Sequence, residues 1–297
     1  MENAKSKLRM MVRGAYDLQR LRIQSGLRLC ANFRNQIGQK PDMKEAELDD
    51  EAKKILKELR ETYKRLTDGI AGNRLRPEQF KGEGLIADFT IFNLTKAYFN
   101  MLDTEEEQFS ALTTILPEFP IYNQFLKNVK GVGPMMAAVI LSELDIYKAK
   151  YPSSFFMYAG LDVAPDGKGR SRREEHLVKK EYRAKDGTIK EKLSITYNPF
   201  LKAKLCGVLA SSFLRAKAPY ADVYYGYKTR LQNKPDWSEE TKGRINRAAL
   251  RYMIKIFLID LHVKWREVEG LPVSKPYSEA KLNLPFHSPH QENRPSV

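Results

Sequence analysis

The run Lys130-Gly131-Val132-Gly133-Pro134 has the residue types needed to hold an anion with main-chain atoms. Glycines on both sides of Val132 open backbone angles closed to other residues. Pro134 suits the first position of a helix, where a missing N–H costs nothing. Apolar residues before it (Phe125, Leu126, Val129) and after it (Met136, Ala137, Ile140, Leu141) predict a helix on each side. A helix-hairpin-helix of this kind offers N–H groups at a helix start, where the dipole also favours negative charge. Lys130, Gly131, Val132 and Gly133 are therefore candidate contacts to a phosphate, of the sort that position a nucleic acid without reading its sequence. An ordinary turn between two core helices uses the same residues.

A second set lies downstream. From Gly167 to Arg251 there are 21 Lys and Arg against nine Asp and Glu, which is most of the chain's formal charge of +14. A local basic excess is the electrostatic footprint of a polyanion. Lys168, Arg170, Arg172, Arg173, Lys179, Lys180, Arg183 and Lys185 crowd one part of it. Asp186-Gly187 between two strand-like runs predicts a basic β-hairpin at about 171–197. Ser171 is the one candidate nucleophile, and a serine needs a base or a metal to activate it. His176 and Glu174 stand near it in sequence, but among so many arginines Ser171 reads as a solvated loop residue. His176, His262, His287 and His290 form no ligand spacing, and Cys30 and Cys206 have no CxxC partner. There is no Gly-Lys-Ser/Thr phosphate loop. No cofactor is identified, and a divalent metal enters only if a partner supplies it.

The elements that must position these residues read as helices. The chain divides into an N-terminal helical pair (1–75), connecting helices (76–120), a helix-hairpin-helix domain (121–270) and an irregular tail (271–297). The first helix, 4–36, offers Leu8, Met11, Val12, Leu18, Leu21, Leu27 and Phe33 as core positions. The second is capped by Asp49 or Asp50 and ended by Ala71-Gly72-Asn73. A helix over 85–101 precedes another capped by Asp103 or Thr104, with Glu105-Glu106-Glu107 in its first turn. Asp166-Gly167-Lys168-Gly169 reads as a flexible charged loop. Asn198 caps a helix with Leu201, Leu205, Val208, Leu209 and Phe213 inward. Asp236 and Glu239 predict a capping box for a last helix running to Glu269. The fold class is mainly α: a helical bundle with a helix-hairpin-helix core and one inserted basic β-hairpin. The N-terminus lacks a signal-peptide run and no apolar stretch spans a bilayer. The expected setting is cytoplasmic and nucleoid-associated, with no membrane partner.

The order of pieces from Phe125 to Arg266 resembles the C-terminal, serine-bearing domain of the "one-ten" insertion-sequence transposases. The matching residues are Val129 to Pro134, then Ala138-Val139-Ile140-Leu141-Ser142-Glu143-Leu144, Tyr158-Ala159-Gly160-Leu161, Ala164-Pro165, Asn198-Pro199-Phe200-Leu201-Lys202 and a closing basic helix. The resemblance implies DNA as a partner, together with a guide RNA. It also implies an N-terminal RuvC-like sheet domain with four metal-binding acidic residues. The first 120 residues read as helical instead, with no strand opening on Gly-x-Asp. The family's serine sits in a Ser-Gly pair, whereas Ser171 is shifted in spacing and followed by Arg172. The reading is a nucleic-acid-binding protein of transposase lineage that is not an autonomous nuclease. Its rivals are a serine-dependent strand-transfer enzyme using Ser171 and an oligomeric assembly protein whose basic face meets an acidic protein.

Overall fold

Helices dominate from the first described residue, as the hydrophobic spacing requires. The structure, a computed structural model, describes residues 2–36, 50–70 and 75–273. The expected cap at Asp49, the stop at Ala71-Gly72-Asn73 and the tail with His287 and His290 lie outside them. In chain order come α1 (Glu2–Gln36), α2 (Asp50–Thr67), α3 (Phe89–Ile115), α4 (Pro120–Gln124), α5 (Pro134–Glu143) and α6 (Pro152–Tyr158). An antiparallel ribbon follows, β1 (Val178–Arg183) with β2 (Ile189–Ser194). Then come α7 (Pro199–Ala203), α8 (Ala210–Arg215), α9 (Pro219–Gln232) and α10 (Lys242–Val268). The fold is mainly α with one inserted β-hairpin, as expected. The chain forms two compact units, residues 10–112 and residues 1–9 with 113–297.

In the 10–112 unit, Leu29, Cys30 and Phe33 of α1 meet Leu56, Leu59 and Tyr63 of α2 and Phe92, Tyr98 and Phe99 of α3. Leu21, expected in the core, is 52% exposed. The helix expected to start at Asp103 or Thr104 is instead the second half of α3. Thr104 Oγ donates back to the Asn100 carbonyl at 2.8 Å, a bond compatible with continuing helix. Glu105 is buried rather than solvated in a first turn. It accepts from Gln19 Nε2 at 2.8 Å and from the Arg22 guanidinium.

In the other unit every residue of α5 from Met136 to Glu143 is buried. A helix apolar on all sides belongs at the centre of a core. The rings of Phe213, Tyr220 and Phe257 pack with centroids 4.9–5.6 Å apart. Asn198 caps α7 as expected, its Oδ1 accepting from Leu201 N at 3.1 Å. Its Nδ2 donates to buried Glu143 and to the Tyr158 hydroxyl. Three of the segments that carry the family resemblance thus meet in one polar knot.

Between α7 and α8 the residues Lys204–Leu209 form a π-helical stretch. Its i→i+5 bonds widen the turn and shift the inward face. Leu201, Leu205, Leu209 and Phe213 are fully buried, while Val208, expected beside them, is 45% exposed. The capping box expected at Asp236 is not formed. Pro235–Trp237 closes a separate 3-10 turn, and Thr241, adjacent to α10, accepts the Arg244 N–H at 3.2 Å.

Candidate nucleic-acid interface

Asp166-Gly167-Lys168-Gly169, expected as a flexible charged loop, lies within a segment, 162–171, that is closed by main-chain bonds. Ala164 N donates to Lys168 O at 2.8 Å, Arg170 N donates to Asp162 O at 3.1 Å, and Val163 bridges Gly169. Closing it brings Asp166 beside His176. Asp166 Oδ2 lies 3.1 Å from His176 Nε2, and Ser171 Oγ lies 2.9 Å from His176 Nδ1. Ser171 N also donates to Nδ1, at 3.0 Å. The nitrogen facing Ser171 therefore accepts, and the ring proton sits on Nε2 toward Asp166. The Lys168 N–H and then His176 hold the Asp166 carboxyl below the usual carboxylate range.

Ser171 is thus a half-buried residue bonded to a buried histidine, not a solvated loop serine. Hydroxyl, base and orienting carboxylate stand in the order that activates a nucleophile. Two features also suit a structural role. The main-chain N–H of Ser171 shares the base nitrogen, and Oγ accepts from Arg173 N at 3.3 Å.

Ser171 lines a cleft of about 510 Å³. Lys168, Arg170 and Arg173 line it from the loop, and Lys202 from α7. Across it stand Arg244, Arg247, Arg251 and Lys255 of α10. Its one carboxylate, Asp162, is held by Arg170 through Nη2 at 2.7 Å and Nε at 3.0 Å. The Arg251 guanidinium lies so close to Gly169 that a Cβ there would sit 1.7 Å from Nη1. Burial pushes the Lys202 and Lys255 ammoniums and the Arg251 guanidinium below their ordinary values, and the Arg251 charge lowers Lys255 further. Like charges crowded and partly desolvated in this way are arranged for an anion. The α10 cations recur at steps of three, four and four, one face of a helix. That spacing was a legible signal, and the candidate residues taken from the sequence did not include them.

The ribbon divides its charges by face. Lys179 pairs with Leu193, Lys180 with Lys192 and Tyr182 with Lys190. Alternation therefore puts Lys180, Tyr182, Lys190 and Lys192 on one face, with no carboxylate among them. The Lys192 ammonium lies 4.9 Å from the Tyr182 ring centroid. The opposite face carries Lys179 and Arg183 together with Glu181 and Glu191, and Lys179 pairs with Glu191 at 3.4 Å. Lysines directly opposite each other repel, so the first face is the one a polyanion would relieve. Lys180→Glu with Lys192→Glu should lower nucleic-acid affinity roughly tenfold or more. Lys179→Glu should change it far less. Both proteins should melt with the parent, since exposed substitutions usually move stability by only about 0.5 kcal/mol. Equal losses from the two faces would show that the ribbon has no binding side.

The turn at 130–133 is anchored on one side and exposed on the other. Gly131 has φ +94°, its carbonyl accepts from Ser212 Oγ at 2.7 Å, and a Cβ there would lie 2.7 Å from Phe213 Cδ1. Lys130, Gly133 and Pro134 are exposed at the start of α5. The element before the turn is shorter than expected, α4 followed by a 3-10 turn at Leu126–Asn128. Lys168, Arg170, Ser171 and Arg173 share the cleft, whereas Lys130 to Gly133, Arg172, Lys179, Lys180, Arg183 and Lys185 are not part of its lining.

Among the described residues no group of three or more His, Cys, Asp or Glu is placed to hold a metal ion. No helix of the described residues is long and apolar enough to cross a membrane. No curated protein and no solved structure matches the chain. Residues 123–185, which hold the α5 turn, the closed loop, Ser171 and β1, match the family model described as Transposase IS116/IS110/IS902 family, so over that segment the chain is similar to transposases of this group.

Proposed function

We propose that the protein binds nucleic acid through its phosphate backbone, with the cleft beside Ser171 as the main seat. The supporting observation is the α10 stripe Arg244, Arg247, Arg251 and Lys255 facing Lys168, Arg170 and Arg173 across one cleft. The lysine face of the ribbon and the exposed side of the 130–133 turn add phosphate contacts. DNA is the partner that the transposase similarity favours, with RNA as a second ligand. Fluorescence anisotropy with labelled duplex DNA and duplex RNA tests this, comparing the parent with Arg247→Ala/Lys255→Ala. The variant should bind both more weakly without losing melting temperature. Parent-like binding by the variant would move the seat elsewhere. Lys130→Glu tests the turn separately. It should cost roughly 1–3 kcal/mol for every sequence alike, because phosphate contacts carry no sequence information. Unchanged affinity would leave the turn a core element only.

The Ser171–His176–Asp166 chain favours a second reading, strand transfer with Ser171 as nucleophile. Oγ would attack a backbone phosphorus, pass its proton to His176 Nδ1 and release one ester oxygen, which takes up a proton. The metal-dependent half of such a reaction would come from a partner. The isolated chain with magnesium should therefore neither cut nor join DNA. A covalent protein–DNA adduct that disappears in Ser171→Ala while binding persists would establish the second reading.

A further inference from the structure

We infer that the cleft takes a nucleotide whose base is unpaired, the base lying on the Tyr252 ring and its phosphate on the α10 cations. This rests on the nucleic-acid reading above and adds the state of the strand. Cations alone would accept any polyphosphate, but the cleft walls also carry Tyr227, Trp237 and Tyr252, all half-buried. Tyr227 and Tyr252 are stacked with centroids 4.0 Å apart and planes 12° apart. Arg230 lies over Tyr227, 4.7 Å from its centroid. Among the described ring contacts Tyr252 stacks on no ring besides Tyr227. One helical turn before Tyr252, the small residue Ala248 also lines the cleft. Arg251 adjoins Tyr252 in sequence and Lys255 follows one turn later, which puts phosphate donors within a nucleotide's length of the ring.

The bases of a duplex are stacked and paired, so they cannot offer a π-face to a ring inside a cleft. An unpaired base can, and base–aromatic stacking beside a basic groove is how single strands are held without sequence preference. DNA and RNA share this chemistry, and the probes below separate them.

The test uses the full chain at low salt with labelled single-stranded DNA, single-stranded RNA and duplex DNA of equal length, each single strand carrying 2-aminopurine. Both single strands, or one of them, should bind more tightly than the duplex, with 2-aminopurine fluorescence quenched on binding. Tyr252→Leu should weaken single-strand binding roughly tenfold or more and leave duplex binding unchanged. Tyr252→Phe, which keeps the ring, should restore it. Equal losses for single strand and duplex, or a Phe variant as weak as the Leu variant, would overturn the stacking role. If Tyr252→Leu lowers the melting temperature, the quench in the parent protein decides, and its absence overturns the inference. Salt-dependent duplex binding untouched by Tyr252→Leu, with no single-strand preference, removes this inference alone. No binding of any probe removes the nucleic-acid reading with it.

Discussion

Raising salt from about 50 to about 200 mM should cost the protein roughly a thousandfold in affinity for duplex DNA. Each neutralised phosphate releases counterions, and about six neutralised phosphates give a loss of that size. The cleft lining supplies eight cations against a single carboxylate, Asp162, which Arg170 already holds, and of the eight Arg244 is paired with Glu240 outside the lining. Lys180 and Lys192 on one face of the ribbon add to them, while Lys190 beside them is already paired with Asp186 at 3.2 Å. Affinity measured at several salt concentrations gives the slope directly. Arg247→Ala/Lys255→Ala should flatten it by about two, one for each phosphate that no longer meets a cation. A flat slope in the parent would mean that the charge serves another end. The leading alternative would then be an assembly protein whose basic face meets an acidic protein, checked by its oligomeric state.

Glu105→Ala should destabilise the 10–112 unit by roughly 3–5 kcal/mol. Glu105 and Arg22 are both largely buried, with side chains 4% and 14% exposed. Removing the carboxylate leaves the largely buried guanidinium with only the Tyr98 hydroxyl, at 3.5 Å, and Gln19 without its acceptor. The cost is that of an uncompensated charge, far above the fraction of a kcal/mol that exposed pairs contribute. In a unit of about 100 residues this corresponds to a fall in Tm of more than about 12 °C. Glu105→Gln keeps acceptor capacity and should lose less. Denaturant unfolding of the two variants checks the order. A loss under about 1 kcal/mol for Glu105→Ala would show the side chain to be solvated.

What the sequence made legible is what local geometry decides. Asp186-Gly187 marks a hairpin because few residue pairs fit its turn. Asn198-Pro199 marks a helix start because the cap bond spans only three residues. The α10 stripe was equally local, since helical spacing alone lines up Arg244, Arg247, Arg251 and Lys255. Asp166 was not legible as a partner of His176. The two meet only because Arg170 and Asp162 close the loop between them, and nothing in the spacing of ten residues announces that closure. Glu105 was misread for a similar reason. Acidic residues after a capping type suggest a first turn, but Arg22, 83 positions earlier, draws this one inward. Val208 was placed in the core by an α-helical period that the π-helical stretch does not keep.

That stretch makes chain length a matter of angle. Upstream of it, Asn198 is knotted to Glu143 and Lys202 faces the cleft. Downstream, Ser212 and Phe213 clasp the turn at Gly131. One residue is about 100° of rotation in an α-helix. Forcing Lys204–Leu209 into ordinary α-helix at its present length would turn one set of contacts about a quarter-turn out of phase with the other, whereas the slower winding of the wide turn absorbs that extra residue. The wide turn acts as a spacer in azimuth, and both the cleft wall and the Gly131 clasp are aimed by it.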